Sequence, residues 1–481
     1  MKSRLSFSLT LVIVLFALFT DDSTYAQNWP MVNLNKERMS WASDETDLYP
    51  PLQQKKEFTL KSTGSYLGLD DLTFYDNLLA LSVGRYPNIL EAVDASSGDN
   101  LWTFEIPDSK GGMSFACAQN DSMIFAGGQQ GLGLYALDKS TGEQKWSKPI
   151  GSLYTRNIIL DNDYVYILGD SLYSLLIKDG ATIWSQKLNI QGTPAVDDLY
   201  VYAVGGYKTQ IFDKMNGELL WWKPNSERAL GGITVDDQCF YIFSNDTVFA
   251  YFKESRSIKW FYPSSGDTIL AGGQNTFAIT DTKLCFTIEG NGNGEAELVI
   301  LNKDSGEFLW DHTFAGNWVF TPTIANGIVY IISIGGDLYG FDLESGAQKF
   351  YDNSFTYQCQ PIVANHKLYV ATRNKVIVFG NDETNVANLN NSLPQGIELM
   401  QNYPNPFNPT TILKIDLPEI TKMELSIYDI NGKLVQELFN GQLNVGIHIL
   451  TWNANNSPTG IYFIRCKSNR FNKVIKCTLL K

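Results

Sequence analysis

The chain is built from short apolar runs separated by turns rich in Asp, Asn, Ser and Gly. Leu199-Tyr-Val-Tyr-Ala-Val, Val329-Tyr-Ile-Ile and Val376-Ile-Val-Phe are representative, and β-branched and aromatic residues dominate them. Such side chains suit a pleated, half-buried surface. Outside the N-terminus no stretch sustains an apolar period of 3.6 residues, so the pattern predicts an all-β chain.

One unit recurs: an apolar strand, an Asp-containing turn, a Gly, and an aromatic four residues after the Gly. One copy reads Tyr135-Ala-Leu-Asp138-Lys-Ser-Thr-Gly142-Glu-Gln-Lys-Trp146. The aromatic returns at Trp102, Trp146, Trp184, Trp221, Trp260, Trp310 and Phe350, with separations of 44, 38, 37, 39, 50 and 40 residues. A period near 40 in all-β sequence is that of propeller blades, each a four-stranded sheet. Asp94, Asp138 and Asp213 precede the Gly by four residues and Asp304 by two. Their carboxylates are placed to accept turn amides. The Gly is expected at φ > 0. The Trp is expected to open the outermost strand and bury its ring on the next blade, its N–H meeting a carbonyl there. Arg256 holds the Gly register in one copy, which predicts a distorted turn. After Phe350 only three strands follow, and Leu52–Leu60, with Phe58 in the Trp place, reads as an orphan fourth. Pairing the two gives an eight-bladed propeller whose last blade is closed by the N-terminal strand and whose edges are hidden.

The repeat resembles the quinoprotein-type (PQQ-like) β-propeller family, whose tryptophan-docking repeat reads approximately Ala-x-Asp-x-x-Thr-Gly-x-x-x-Trp. The resemblance covers residues 52–380, within a propeller domain placed at 27–380. It implies the fold; the family includes quinone dehydrogenases, scaffolds of outer-membrane protein assembly and sensor domains.

The two ends differ from the repeats. Residues 1–26 read as a signal peptide: Lys2 and Arg4, an apolar core from Leu5 to Phe19, and cleavage expected after Ala26. Residues 381–396 are polar and read as a linker. Residues 397–481 hold six or seven short strands with turns at Asn431-Gly432, Asn440-Gly441 and Pro458-Thr-Gly460, which predicts a small Ig-like β-sandwich. This tail resembles the type A C-terminal sorting domain of the type IX secretion system of Bacteroidota. The matching pieces are Tyr403, Pro404, Asn405, Pro406, Phe407, Asn408 and Pro409, then Ile427-Tyr-Asp-Ile-Asn-Gly432, Gly460-Ile-Tyr-Phe463 and Leu479-Leu-Lys481. The resemblance implies export through the periplasm and across the outer membrane by the type IX machinery. Removal of the tail usually follows, with release or surface attachment.

Charge separates by domain. Residues 394–481 carry nine Lys/Arg and six Asp/Glu, net +3. Residues 27–393 carry 26 and 43, net −17, and an acidic propeller repels phosphate backbones, which argues against nucleic acid. Apart from the N-terminus no segment is apolar enough to span a membrane, so none is expected in the mature chain. Of six Cys, Cys466 and Cys477 flank a hairpin and are a candidate disulfide, while Cys117, Cys239, Cys285 and Cys359 read as buried thiols.

Catalytic chemistry is sparse. The three His, His312, His366 and His448, are dispersed, and no zinc site or Ser–His–Asp triad is expected. Glu289-Gly-Asn291-Gly-Asn293-Gly294 begins like a calcium loop, but Ile300 stands where a bidentate Glu is needed. Quinone dehydrogenases carry an adjacent Cys-Cys pair, absent here. No catalytic, metal or cofactor residue is therefore assigned. The expectation is a secreted or cell-surface protein that binds protein or glycan and is not an enzyme. The alternative is an extracellular enzyme acting on polysaccharide or, less well supported, a quinone-dependent dehydrogenase. The candidate face comprises the connections into the innermost strands, with Lys110, Tyr154, Arg156, Arg228, Trp318 and Tyr357. Trp318 and Tyr154 are also of a size to plug the channel.

Overall fold

The protein is described from a computed structural model. It describes residues 28–381 and 398–480 apart from short stretches, the longest being 62–67, 108–114, 152–157, 264–276 and 289–294. The chain divides between Asn381 and Asp382 into two compact units, and the described residues contain no helix.

The first unit contains eight sheets. Their innermost strands are Gly68–Tyr75, Phe115–Gln119, Ile158–Asp161, Ala195–Val196, Ile233–Val235, Ala278–Ile279, Thr323–Ala325 and Ile362–Ala364. The inner strands are buried almost throughout, and the outermost alternate, as in Asn100–Glu105. In blade four the middle of the sheet is one extended run, Tyr200–Asp213. Blade eight closes as expected. Gln53–Thr59 pairs antiparallel with Lys375–Gly380, with Phe58 opposite Val376.

The repeat's residues join blade to blade. The turn glycines take positive φ, from 69° at Gly180 to 84° at Gly98. A Cβ on Gly142 would stand 2.6 Å from the Trp102 ring, and one on Gly217 2.5 Å from the Trp184 ring. Each turn thus lies flat on the aromatic of the preceding blade, and blade one's Gly98 lies on Phe58 of blade eight. The indole N–H donates to the carbonyl three residues before that Gly: Trp102 to Lys139 at 2.9 Å, Trp146 to Ile177 at 2.8 Å and Trp260 to Lys303 at 2.8 Å. Asp138 Oδ1 accepts the amides of Ser140 and Thr141 at 3.1 and 3.0 Å.

Two details differ from the sequence reading. The turn at Arg256 is not distorted: Arg256 adopts φ 60°, and its N–H donates to the Phe252 carbonyl at 3.0 Å, the same bond that Gly142 makes to Asp138. Its guanidinium lies 4.7 Å over the Tyr200 ring, an attraction that offsets the backbone strain. In blade six the turn is capped by Asn302, which accepts Asp304 and Ser305 amides at 2.9 and 3.0 Å, while Asp304 pairs with Lys259.

The second unit is a β-sandwich. One sheet is Glu398–Leu399, Thr410–Leu417 and Gly446–Asn453; the other is Leu434–Leu443, Thr421–Asp429, Gly460–Lys467 and Asn472–Leu479 in spatial order. Leu413, Ile415, Leu425, Ile427, Trp452 and Ile464 fill the space between them. Cys466 and Cys477 are free thiols, which corrects the proposed disulfide. The hairpin register sets Cys466 opposite Lys473 and Cys477 opposite Tyr462. Four residues of offset separate the sulfurs' backbones by about 13 Å, beyond the reach of a disulfide.

Candidate functional site

The natural site of a propeller is its axis, and here the chain itself occupies it. The described residues among 31–42 run across the innermost strands. The Met39 carbonyl accepts the Ile279 N–H of blade six at 2.8 Å, and the Ser40 carbonyl accepts the Ile324 N–H of blade seven at 2.9 Å. Thr234 Oγ1 of blade five donates to the Arg38 carbonyl at 3.3 Å. Gln360, which leads into blade eight, donates to Ser40 Oγ at 3.1 Å. Trp41–Ala42 then pairs in parallel with Ile324–Ala325 as a fifth strand of blade seven. Met31 joins the buried apolar cluster that includes Ala118, Ile159 and Leu160 of blades two and three. A segment that touches so many innermost strands lies on the axis.

At its centre sits Arg38, 1 % exposed. Burial lowers its guanidinium to about 9, opposed by the Asp71 carboxylate of blade one, so the side chain stays cationic at neutral pH. A charge so placed requires a partner and hydrogen bonds, and is expensive to orphan. Arg38 and Ser40 take positive φ, and so do Asn33 and Leu34. The tight path is held locally by Ser40 N–H to the Asn33 carbonyl at 3.1 Å and Met39 N–H to Asn35 Oδ1 at 2.9 Å. Below it, buried Glu45 accepts the Asp47 and Leu48 amides at 2.7 and 2.8 Å and meets His366 Nδ1 at 3.1 Å.

A second feature absent from the sequence reading is a set of ion pairs between successive blades. Lys253 reaches Asp197 at 2.8 Å, Lys303 reaches Asp236 at 2.9 Å, and Lys214 pairs with Asp161. Each Lys occupies the position whose carbonyl receives, or is in register to receive, the preceding blade's indole. Each Asp stands at the end of the innermost strand of that preceding blade: Asp161 is its last residue, and Asp197 and Asp236 directly follow it. Burial opposes ionisation of Asp236 most strongly. Lys303, the Cys239 amide and the Tyr241 hydroxyl together outweigh it and hold the carboxyl below its ordinary value. Asp197 is held low in the same way by Lys253, Leu199 N–H and Tyr202. Only Lys214 directly follows a turn Asp; Lys253 follows Phe252 and Lys303 follows Asn302, so no shared local pattern marks the pairs.

The predicted binding face fares unevenly. Lys110, Tyr154, Arg156 and Trp318 lie outside the described residues, as does Ala26. Arg228 belongs to the outermost strand of blade four, Leu219–Ala229, and not to a connection. Tyr357 is corrected from face to core. It is 2 % exposed, its hydroxyl donates to Asp352 at 2.6 Å, and burial pushes the phenol well above its usual value. His312 is packed against Phe314 and Phe341, and burial lowers its imidazole. No group of three or more His, Cys, Asp or Glu suited to a metal occurs among the described residues, and no described helix is long and apolar enough to cross a membrane.

In the tail, Tyr403, Pro404 and Pro406 lie outside the described residues, but the rest of the motif forms a clasp. Phe407 bridges Leu479 in parallel, its N–H donating to the Thr478 carbonyl at 2.9 Å, while Leu480 N–H returns to the Phe407 carbonyl at 2.9 Å. Asn405 Oδ1 accepts the Thr478 N–H at 2.9 Å, and its amide donates to the Lys476 carbonyl at 3.2 Å. The Phe407 ring is buried 5.1 Å from Trp452. Pro409 accepts the Ala454 N–H at 2.8 Å, and Asn408 lies beside it.

Comparison with known proteins agrees with both units. Residues 401–479 match a secretion system C-terminal sorting domain. Overlapping matches at 86–188, 169–293 and 263–392 fall to the family described as outer membrane protein assembly factor BamB. The protein of that name from Yersinia pestis is 22 % identical over 241 residues, 48 % of this chain and 54 % of its own, so the chain spans about half of that relative. The one from Moranella endobia is 24 % identical over 299 residues, 58 % and 68 % of the two chains. Among solved structures, BamB from Moraxella catarrhalis shares 16 % identity at a TM-score of 0.55 over 69 % of this chain and all of its own. The quinohemoprotein alcohol dehydrogenase of Comamonas testosteroni shares 11 % at a TM-score of 0.62 over 74 % and 81 %. At these identities the structures speak for the fold alone. The chain belongs to the PQQ-like β-propeller family that includes BamB, and it ends in a type IX secretion sorting domain that directs it to the cell surface or exterior.

Proposed function

We propose that the protein is a non-catalytic binding module: a propeller delivered to the surface or medium, where it docks a protein or polysaccharide on a face of the ring. The observation that carries this reading is the filled axis. Arg38, Met39 and Ser40 take the inner-strand hydrogen bonds of blades five to seven, so a ligand meets the loop faces and not a deep central pocket. Curated relatives named as assembly factors add support for docking through protein contact. Export proceeds through the periplasm under the N-terminal leader, then across the outer membrane under the tail.

The test uses the mature chain on a glycan array, with a parallel pull-down from the surface fraction of the producing cells. Saturable binding, weakened at least tenfold by Trp318→Ala or Arg156→Ala, is expected. Turnover of a polysaccharide, abolished by substituting one carboxylate, would overturn the reading in favour of an extracellular enzyme.

A further inference from the structure

The tail's two sequence motifs divide their side chains between the two faces of one sheet. In Ile427-Tyr428 and Tyr462-Phe463-Ile464, the residues Ile427, Tyr462 and Ile464 enter the core. Tyr428 and Phe463 are directly opposite each other on the two central strands and point the other way, half-buried. Leu434 extends the row on one side, opposite Tyr428 and 52 % exposed. Ile461 and Val474, 38 % and 51 % exposed, lie on the same outward face. The solvent face of an antiparallel sheet is ordinarily polar, so an aromatic pair at its centre with aliphatic neighbours marks a contact surface. Two cations border it, Lys476 opposite Phe463 and Arg465 opposite Val474, while Lys467, two residues further along, is opposite Glu424. The outer edge of the last strand is occupied from Lys476 to Leu480 by Asn405 and Phe407.

We propose that this outward face, Tyr428 and Phe463 with Leu434, Ile461, Arg465 and Lys476, is the surface by which the export apparatus holds the tail. Its occupant is a protein presenting an apolar strip with an acidic border. The charge supports that choice, since the tail carries net +3 on a chain whose remainder is strongly acidic. The proposal rests on the tail acting as a type IX sorting domain, and it separates two jobs. Asn405 and Phe407 hold the last strand in place, and the outward face makes the contact.

The experiment expresses the full chain in the producing cells and measures the fraction reaching the surface or medium against that retained in the periplasm. Four chains are compared with the parent: one ending at residue 381, the pair Tyr428→Ser with Phe463→Ser, Val474→Lys, and Lys476→Glu. Thermal unfolding of each purified chain reports folding. The expected result is a loss of at least tenfold in export for the truncated chain and for the aromatic pair, and a several-fold loss for Val474→Lys and Lys476→Glu, with unfolding of the tail unchanged in those two. Should the aromatic pair fail to fold, the exposed substitutions decide, because neither removes core packing. Parental export by folded face variants, beside a truncated chain that is retained, overturns the proposal. Parental export by the truncated chain overturns instead the reading of the tail as a sorting domain.

Discussion

Gly142 and Arg256 occupy the same turn position and reach it by opposite means. Gly142 has no side chain to strike the Trp102 ring, whereas Arg256 accepts φ 60° and lays its guanidinium on Tyr200. Gly142→Ala adds both left-handed strain and a ring contact at 2.6 Å, and is expected to destabilise by roughly 2–4 kcal/mol. Arg256→Gly relieves strain and loses a cation–π contact of similar size, so it should lie within about 1 kcal/mol of the parent. Urea unfolding of the mature chain measures both; equal losses would show that the ring-on-glycine packing is not what fixes the turn. Lys303→Met leaves Asp236 buried beside Tyr241 without its cation, and a loss of about 2–4 kcal/mol is expected in the same assay. The Gly and Trp of this joint were legible because turn chemistry and spacing are local. The Lys–Asp pair was not, because it spans 67 residues and only the closed ring brings its ends together.

Among the elements, the closing strand and the axial segment are near neighbours in sequence but differ in what they disclose. Gln53–Thr59 carries the strand pattern and a Phe in the Trp register, and an unpartnered strand at one terminus with an incomplete blade at the other admits one pairing. Residues 31–42 carry no period at all. Apart from short-range bonds such as Ser40 to Asn33, the hydrogen bonds of the described residues go to Thr234, Ile279, Ile324 and Gln360, so nothing in the local pattern announces where the segment lies. The cysteines of the tail show the same limit: Cys466 and Cys477 both point inward, but the register set at Lys467–Asn472 keeps them apart. Starting the mature chain at Asp44 keeps the closing strand and removes the axial segment. It leaves the Ile279 and Ile324 amides and the Asp71 carboxylate without it, and a loss of roughly 3–6 kcal/mol is expected. The melting temperature should fall clearly while the size-exclusion volume stays that of the parent. Starting at Lys61 also strips blade eight of its outer strand, and the exposed edge of Lys375–Gly380 should then drive association. An Asp44 chain that melts with the parent would show the axial segment to be a passenger.

For the whole molecule, the carboxyls that cap the turns or join the blades, with the buried phenols, set the pH range in which the ring holds. Asp94 is held low chiefly by the Ser97 amide, Asp138 by Ser140 and Asp342 by Ser345, while in Asp197 and Asp236 the ion pair and hydrogen bonds outweigh burial. A depressed carboxyl stabilises fully above its unfolded value, near 4, and that contribution disappears as pH falls through the lower folded value. The tyrosines have the opposite sign. Burial raises Tyr202, Tyr241 and Tyr330, so the folded chain keeps phenolic protons that the unfolded chain releases near pH 10. Their contribution is complete below that value and is lost progressively as pH rises above it toward the higher folded values. Between the two limits lies the neutral range, where the depressed carboxyls are ionised and the raised phenols keep their protons. The urea midpoint of the mature chain should therefore be nearly flat from about pH 5 to 9, and fall steeply below 4 and above 10. Because the acid limb comes from several blades at once, Lys303→Met should lower the plateau and leave most of that limb in place. A midpoint that instead peaks sharply near the pI of 4.8 would mean that the self-repulsion of the acidic ring, and not these local pairs, governs its stability.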